Sequence, residues 1–168
     1  LSQSALAISL FFHLSATVIW IGGLVILSIL VIPETRRILQ ESPALYRLLS
    51  RWRKRFFPLS NLSLIVLIVT GLLQMTADEY YDGLMQFDNE WSRVLLVKHI
   101  AIIGMVIAGL VLQYGVAPAL ERATMLLERG KGDADAIASL RRREARLTWL
   151  NVVLGVMVLA CSAWAGSL

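Results

Sequence analysis

The chain has 168 residues, of which 57% are hydrophobic and 17% charged, against roughly 25% charged in an ordinary soluble domain. That balance excludes a soluble globular protein and a disordered chain. The formal net charge of +4 in so apolar a chain reads as an orientation signal rather than a nucleic-acid footprint. The single cysteine, Cys161, rules out an internal disulfide and a CxxC metal site.

The first charged residue is Glu34, and everything before it is uncharged and mostly apolar. A span needs about 20 such residues. This run lacks a basic start, so it reads as a span rather than a cleaved leader. The chain opens on Leu1 rather than methionine, so further residues are expected ahead of it. A second uncharged run covers 56–77, with Pro58 placed for a helix start. A third covers 94–117, holds Lys98 and His99, and is closed by Pro118; a fourth covers 147–168. No period-two alternation is visible, and each run is too long for a barrel strand. The expected fold is all-α: one integral membrane four-helix up-down bundle with spans at about 4–32, 57–77, 93–117 and 147–167.

The connecting segments set the direction. Arg36, Arg37, Arg47, Arg51, Arg53, Lys54 and Arg55 lie between spans 1 and 2. Arg122, Arg129, Lys131, Arg141, Arg142, Arg143 and Arg146 lie between spans 3 and 4. Between spans 2 and 3 the one basic residue is Arg93, among Asp78, Glu79, Asp82, Asp88 and Glu90. The positive-inside rule puts both basic segments in the cytoplasm and both termini outside. The expected setting is a multi-pass protein of a bacterial inner membrane. Residues 120–146, broken at Gly130-Lys131-Gly132, read as a surface helix pair or interfacial segment. The run RWRKRFF at 51–57 reads as a stop signal able to meet anionic lipid. Trp52, Trp149, Trp91 and Trp164 fall at the two interfaces and fit an aromatic belt.

Polar residues inside the spans are few. Both histidines of the chain, His13 and His99, lie there. Each falls roughly 9–15 Å below the outer boundary at 1.5 Å per residue. Spans 1 and 3 of an up-down bundle lie on a diagonal of roughly 11–14 Å. Two imidazoles across that gap suit a haem b with two axial ligands, so His13 and His99 are the expected metal ligands. Copper is the alternative, since imidazole also ligates copper or zinc. His13, Thr17, Trp20 and Leu24 form one stripe of the first helix, and Gly22 and Gly23 permit close approach of a helix or ligand. Lys98 and Arg93 lie on the outer side, placed for haem propionates. The expected cofactor-binding set is therefore His13, His99, Trp20, Thr17, Lys98 and Arg93. Cys161, Met75, Met85, Met105 and Met157 complete the soft ligands that copper favours. Each polar group also has a bland role: a helix–helix hydrogen bond for a histidine, snorkelling for Lys98, a backbone bond for Thr17, packing for Cys161 and the methionines.

The segment HLSATVIWIGGL at 13–24, with His13, Trp20, Gly22 and Gly23, resembles the first helix of the CopD-like membrane proteins. The likeness continues through Pro33, Arg36 and Arg37. RFFPLSNLSLIVLIVTGLL at 55–73 resembles the second helix of that family, and WSRVLLVKHIAIIG at 91–104 its third. The same pattern is similar to the HemJ-like protoporphyrinogen oxidases, which are membrane haem proteins. That likeness implies a haem-binding role for His13 and carries the third-helix lysine onto Lys98. The second histidine that HemJ-like proteins place after the first helix has no counterpart here. Three functions are thus expected in order: a b-type haem protein or haem-binding redox subunit; a CopD-like copper transport or binding protein; a HemJ-like porphyrinogen oxidase. The expected partners are the lipid bilayer and either other membrane redox subunits or an outer-face electron carrier, without nucleic acid.

Overall fold

A computed structural model describes residues 2–39, 43–78 and 89–168. Glu79, Asp82, Met85 and Asp88 lie outside the described residues. Four long helices account for nearly all of it: α1 Gln3–Leu39, α2 Pro43–Ala77, α3 Glu90–Glu128 and α4 Ala134–Ala165. Each is long and apolar enough to cross a membrane, and no strand occurs among the described residues. The protein is an all-α membrane bundle. Large apolar side chains such as Phe11, Val18, Leu30, Ile65 and Val153 stand more than half exposed. That pattern is stable only where the surrounding solvent is hydrocarbon.

The helices start where side chains can cap them. Ser2 Oγ accepts the Ala5 N–H at 3.3 Å, Asn89 Oδ1 accepts that of Ser92 at 2.7 Å, and Asp133 Oδ1 that of Asp135 at 2.9 Å. α3 ends in a Schellman turn. The Gly130 N–H donates to Leu127 O and the Lys131 N–H to Leu126 O, both at 2.9 Å, with Gly130 at φ +71. Only glycine takes that left-handed position without strain.

The prolines do not end the helices as the sequence suggests. α1 continues past Pro33 and α3 past Pro118. In each case a wide π-turn precedes the proline, Leu27–Val31 in α1 and Val111–Val116 in α3. A proline withholds the N–H that the carbonyl four residues back, Ile29 or Tyr114, would take. Both carbonyls lie inside these π-turns, where the ladder is already re-registered. A third π-turn, Val18–Gly22, precedes no proline and carries Trp20. Pro58 lies inside α2 rather than at its start, because the basic segment before it is itself helical. Residues 120–146 likewise extend α3 and α4 and form no separate interfacial element.

α1 packs along α2, and α3 along α4. The pairs join through Ile21, Ala101, Met105 and Val158, one buried cluster from α1, α3 and α4. Gly155 permits this approach. A Cβ there would lie 3.4 Å from both Ile21 Cγ2 and Met105 Cε. Gly23 does the same for α1 and α2, since a Cβ there would come within 2.6 Å of the Phe56 ring.

At the basic end, Glu144 of α4 bonds Arg36 and Arg53, both at 3.2 Å. One carboxylate thereby ties α1, α2 and α4. Glu121 of α3 meets Lys54 at 3.7 Å and Ser50 at 3.2 Å. Basic residues expected only to set direction therefore also hold the helices together.

Candidate functional site

Near the end of the bundle that carries both termini, a cavity of about 310 Å³ opens among the four helices. His13, Thr17 and Trp20 line it from α1, Gly71, Gln74, Met75 and Asp78 from the end of α2, Trp91, Lys98 and His99 from α3, and Ser162 from α4. Five of the six expected cofactor-binding residues share this cavity; Arg93 is not among its lining residues. Trp91 is 7% exposed and walls the cavity near its mouth, rather than standing in an interfacial belt. Cys161 does not line it, although the next residue, Ser162, does.

The hydrogen bonds of the two histidines decide which ring nitrogen carries the proton and which is left to accept a ligand. His13 Nδ1 lies 2.8 Å from Thr70 Oγ1. The Thr70 hydroxyl proton is committed to Val66 O at 2.6 Å. Thr70 Oγ1 is therefore the acceptor, His13 carries its proton on Nδ1, and the lone pair resides on Nε2. His99 Nδ1 lies 2.7 Å from Leu95 O. A carbonyl only accepts, so His99 too is protonated on Nδ1 with its lone pair on Nε2. A metal-ligating histidine has this arrangement, one nitrogen fixed by an outer partner and the other offered to the ion. Gly71 supports it, since a Cβ at that position would already be in contact with His13 Cε1 at 3.5 Å.

Around the histidines the lining is mixed. Thr17 Oγ1 donates to His13 O at 2.8 Å, so its proton serves the helix and not the cavity. Met75 adds a thioether at the α2 wall, a ligand suited to Cu(I). Among the described residues, Asp78 and Lys98 are the charged ones that line it, one anion and one cation. Among the described residues no group of three or more His, Cys, Asp or Glu gathers to hold a metal. The arrangement offers two imidazoles and a thioether. It suits a soft monovalent ion better than a hard divalent one.

Sequence reasoning missed Thr70, Gly71 and Gln74. Gln74 Nε2 donates to Ser9 Oγ at 3.4 Å, and Ser9 Oγ donates to Thr70 O at 3.5 Å. A polar ladder thus runs between α1 and α2 beside His13. The Thr-Gly pair near the far end of the second span was the available signal.

Fold and site together define an integral membrane four-helix protein with a paired-histidine cavity near one membrane face. The family model for copper resistance protein D (CopD) matches residues 50–165, and the chain belongs to that family. The match includes Lys98 and His99, whereas His13 and the rest of α1 lie outside it. No curated protein and no solved structure matches the chain. The family points to copper, the second of the functions expected from the sequence, ahead of the haem-based readings.

Proposed function

We propose that this protein is a copper-transporting membrane protein that takes Cu(I) into the cavity from the face where the termini lie. His13 Nε2 and His99 Nε2 bind the ion, with the Met75 thioether as a third donor. Thr70 and the Leu95 carbonyl hold the two rings in the tautomer that ligation requires. The observation that carries this reading is that both imidazoles line one cavity with Nδ1 committed elsewhere. A set of two nitrogens and one thioether, without a thiolate, binds loosely enough for the ion to leave again, as passage requires. Trp91 and the apolar wall of Leu67, Ile68 and Ile102 limit water around the bound ion.

The positive-inside rule supports an external position for the cavity and a bacterial inner membrane as the setting. Copper would then be captured outside and move inward. The test is a Cu(I) titration of the purified protein in detergent against a chromophoric chelator. His13→Ala and His99→Ala are each expected to weaken binding at least tenfold. Equal binding by wild type and both variants would overturn the assignment.

A further inference from the structure

The basic end of the bundle holds a second cavity of about 590 Å³ between α2 and α3. Arg47, Arg51, Arg53 and Lys54 line it from α2, and Glu121 and Glu128 from α3. Four cations thus face two carboxylates. Glu121 is already engaged, by Lys54 at 3.7 Å and by the Ser50 hydroxyl at 3.2 Å. Arg53 is held by Glu144 of α4 at 3.2 Å. Arg47 and Arg51 make no ion pair among the described residues, and both are exposed. Their i, i+4 spacing puts them on one face of α2. Two guanidinium forks so placed match the oxygens of a phosphate.

The lining changes with depth. Phe57 lies along α2 from Arg47 by roughly 15 Å at 1.5 Å per residue, and from α3 the deeper wall is Tyr114, Ala117 and Pro118. The cavity is therefore cationic at its outer end and aromatic or apolar at its membrane end. A water-soluble anion would use the outer end alone. A molecule with a phosphate at one end and hydrocarbon at the other uses both.

The seam beyond is open to such a molecule. α2 meets α3 along Ala117–Glu128, whereas nearer the middle of the membrane α2 packs on α1 and α3 on α4. Between α2 and α3 at that depth, Phe57, Leu64, Val106 and Leu110 line a mostly apolar space of about 100 Å³, which shares Phe57 and Gln113 with the basic cavity. Gly109 is in its wall, and a Cβ there would meet nothing within 4 Å.

We propose that the basic cavity binds an anionic phospholipid, with Arg47 and Arg51 on its phosphate and an acyl chain along the α2–α3 seam past Phe57. The positive-inside rule assigns this end to the cytoplasmic leaflet, where basic pockets between helices take anionic headgroups. The surplus of two positive charges in the lining matches the one or two phosphodiesters of such a lipid. The lipid bridges the two helices that share the least direct contact within the membrane. This inference is independent of the copper reading.

The test is native mass spectrometry of the full chain in detergent, after incubation with phosphatidylglycerol or phosphatidylcholine of the same acyl chains. Wild type is expected to retain phosphatidylglycerol at least about fivefold more than phosphatidylcholine, and the pair Arg47→Gln and Arg51→Gln to bring that ratio below about twofold. The pair Arg142→Gln and Arg146→Gln removes the same charge at the same spacing from α4, outside the cavity, and should leave the ratio near that of wild type. All four arginines are exposed, and thermal unfolding without added lipid is expected to be alike in the three proteins. No preference in wild type, an unchanged ratio in the cavity pair, or an equal fall in both pairs would overturn the site. Excess inorganic phosphate should leave the lipid in place; its full displacement would overturn the lipid as occupant and leave a site for the free anion.

Discussion

Thr70→Val removes one hydroxyl and almost nothing else. Valine keeps the β-branched shape, so the α1–α2 contact is retained. The acceptor 2.8 Å from His13 Nδ1 is lost. The ring is then free to move its proton to Nε2, the nitrogen assigned to the ion, or to rotate away from the cavity. Loss of an outer-shell partner of this kind weakens metal binding about 10–100-fold, roughly 1.4–2.8 kcal/mol. The cost to folding is smaller, about 0.5–1.5 kcal/mol for one hydrogen bond. Cu(I) competition titrations in detergent measure the first quantity and thermal unfolding of the same samples the second. Thr70→Ser, which keeps the oxygen, is expected to bind within about threefold of wild type. If Thr70→Val binds like wild type while His13→Ala loses at least tenfold, the tautomer argument is refuted.

Three further outcomes follow from the same contacts. Gly23→Leu forces its side chain against the Phe56 ring and is expected to destabilise by about 1–3 kcal/mol; Gly109→Ala, which meets nothing within 4 Å, should be neutral or stabilising by about 0.5–1 kcal/mol. Thermal denaturation in detergent separates the two. Glu144→Gln leaves Arg36 and Arg53 without their shared carboxylate and should lower stability by roughly 1–3 kcal/mol, with the deficit shrinking as salt is raised. Under the copper reading, the visible spectrum of the purified, reduced protein should lack a Soret band; a Soret band lost in His13→Ala would restore the haem expectation.

The helical class was legible because hydrocarbon tolerates so few charges that each uncharged run declares itself. That His13 and His99 share a level was legible from depth, since rise per residue converts position into level, and Trp20 was legible from the helix stripe it shares with His13. What could not be read were contacts between distant residues. Thr70 is 57 positions from His13, and the Thr-Gly pair in the second span does not tell which residue of the first span it meets. Pro118 misled because it was read as closing the third span, without the π-turn that accommodates it. Arg93, expected on the outer side of the site, lies between Trp91 and Leu95, which line the cavity at i, i+4 spacing, but is off that stripe of α3.

The clamp at Glu144 has a consequence for assembly. The first hairpin, α1 with α2, carries Arg36 and Arg53, yet the acid that joins them belongs to the last helix to be synthesised. Until α4 enters the bilayer, those two guanidinium groups lack their shared carboxylate and repel one another across the basic end of the hairpin. Arrival of the final segment supplies the latch, so the first hairpin gains its last tie only when synthesis is complete.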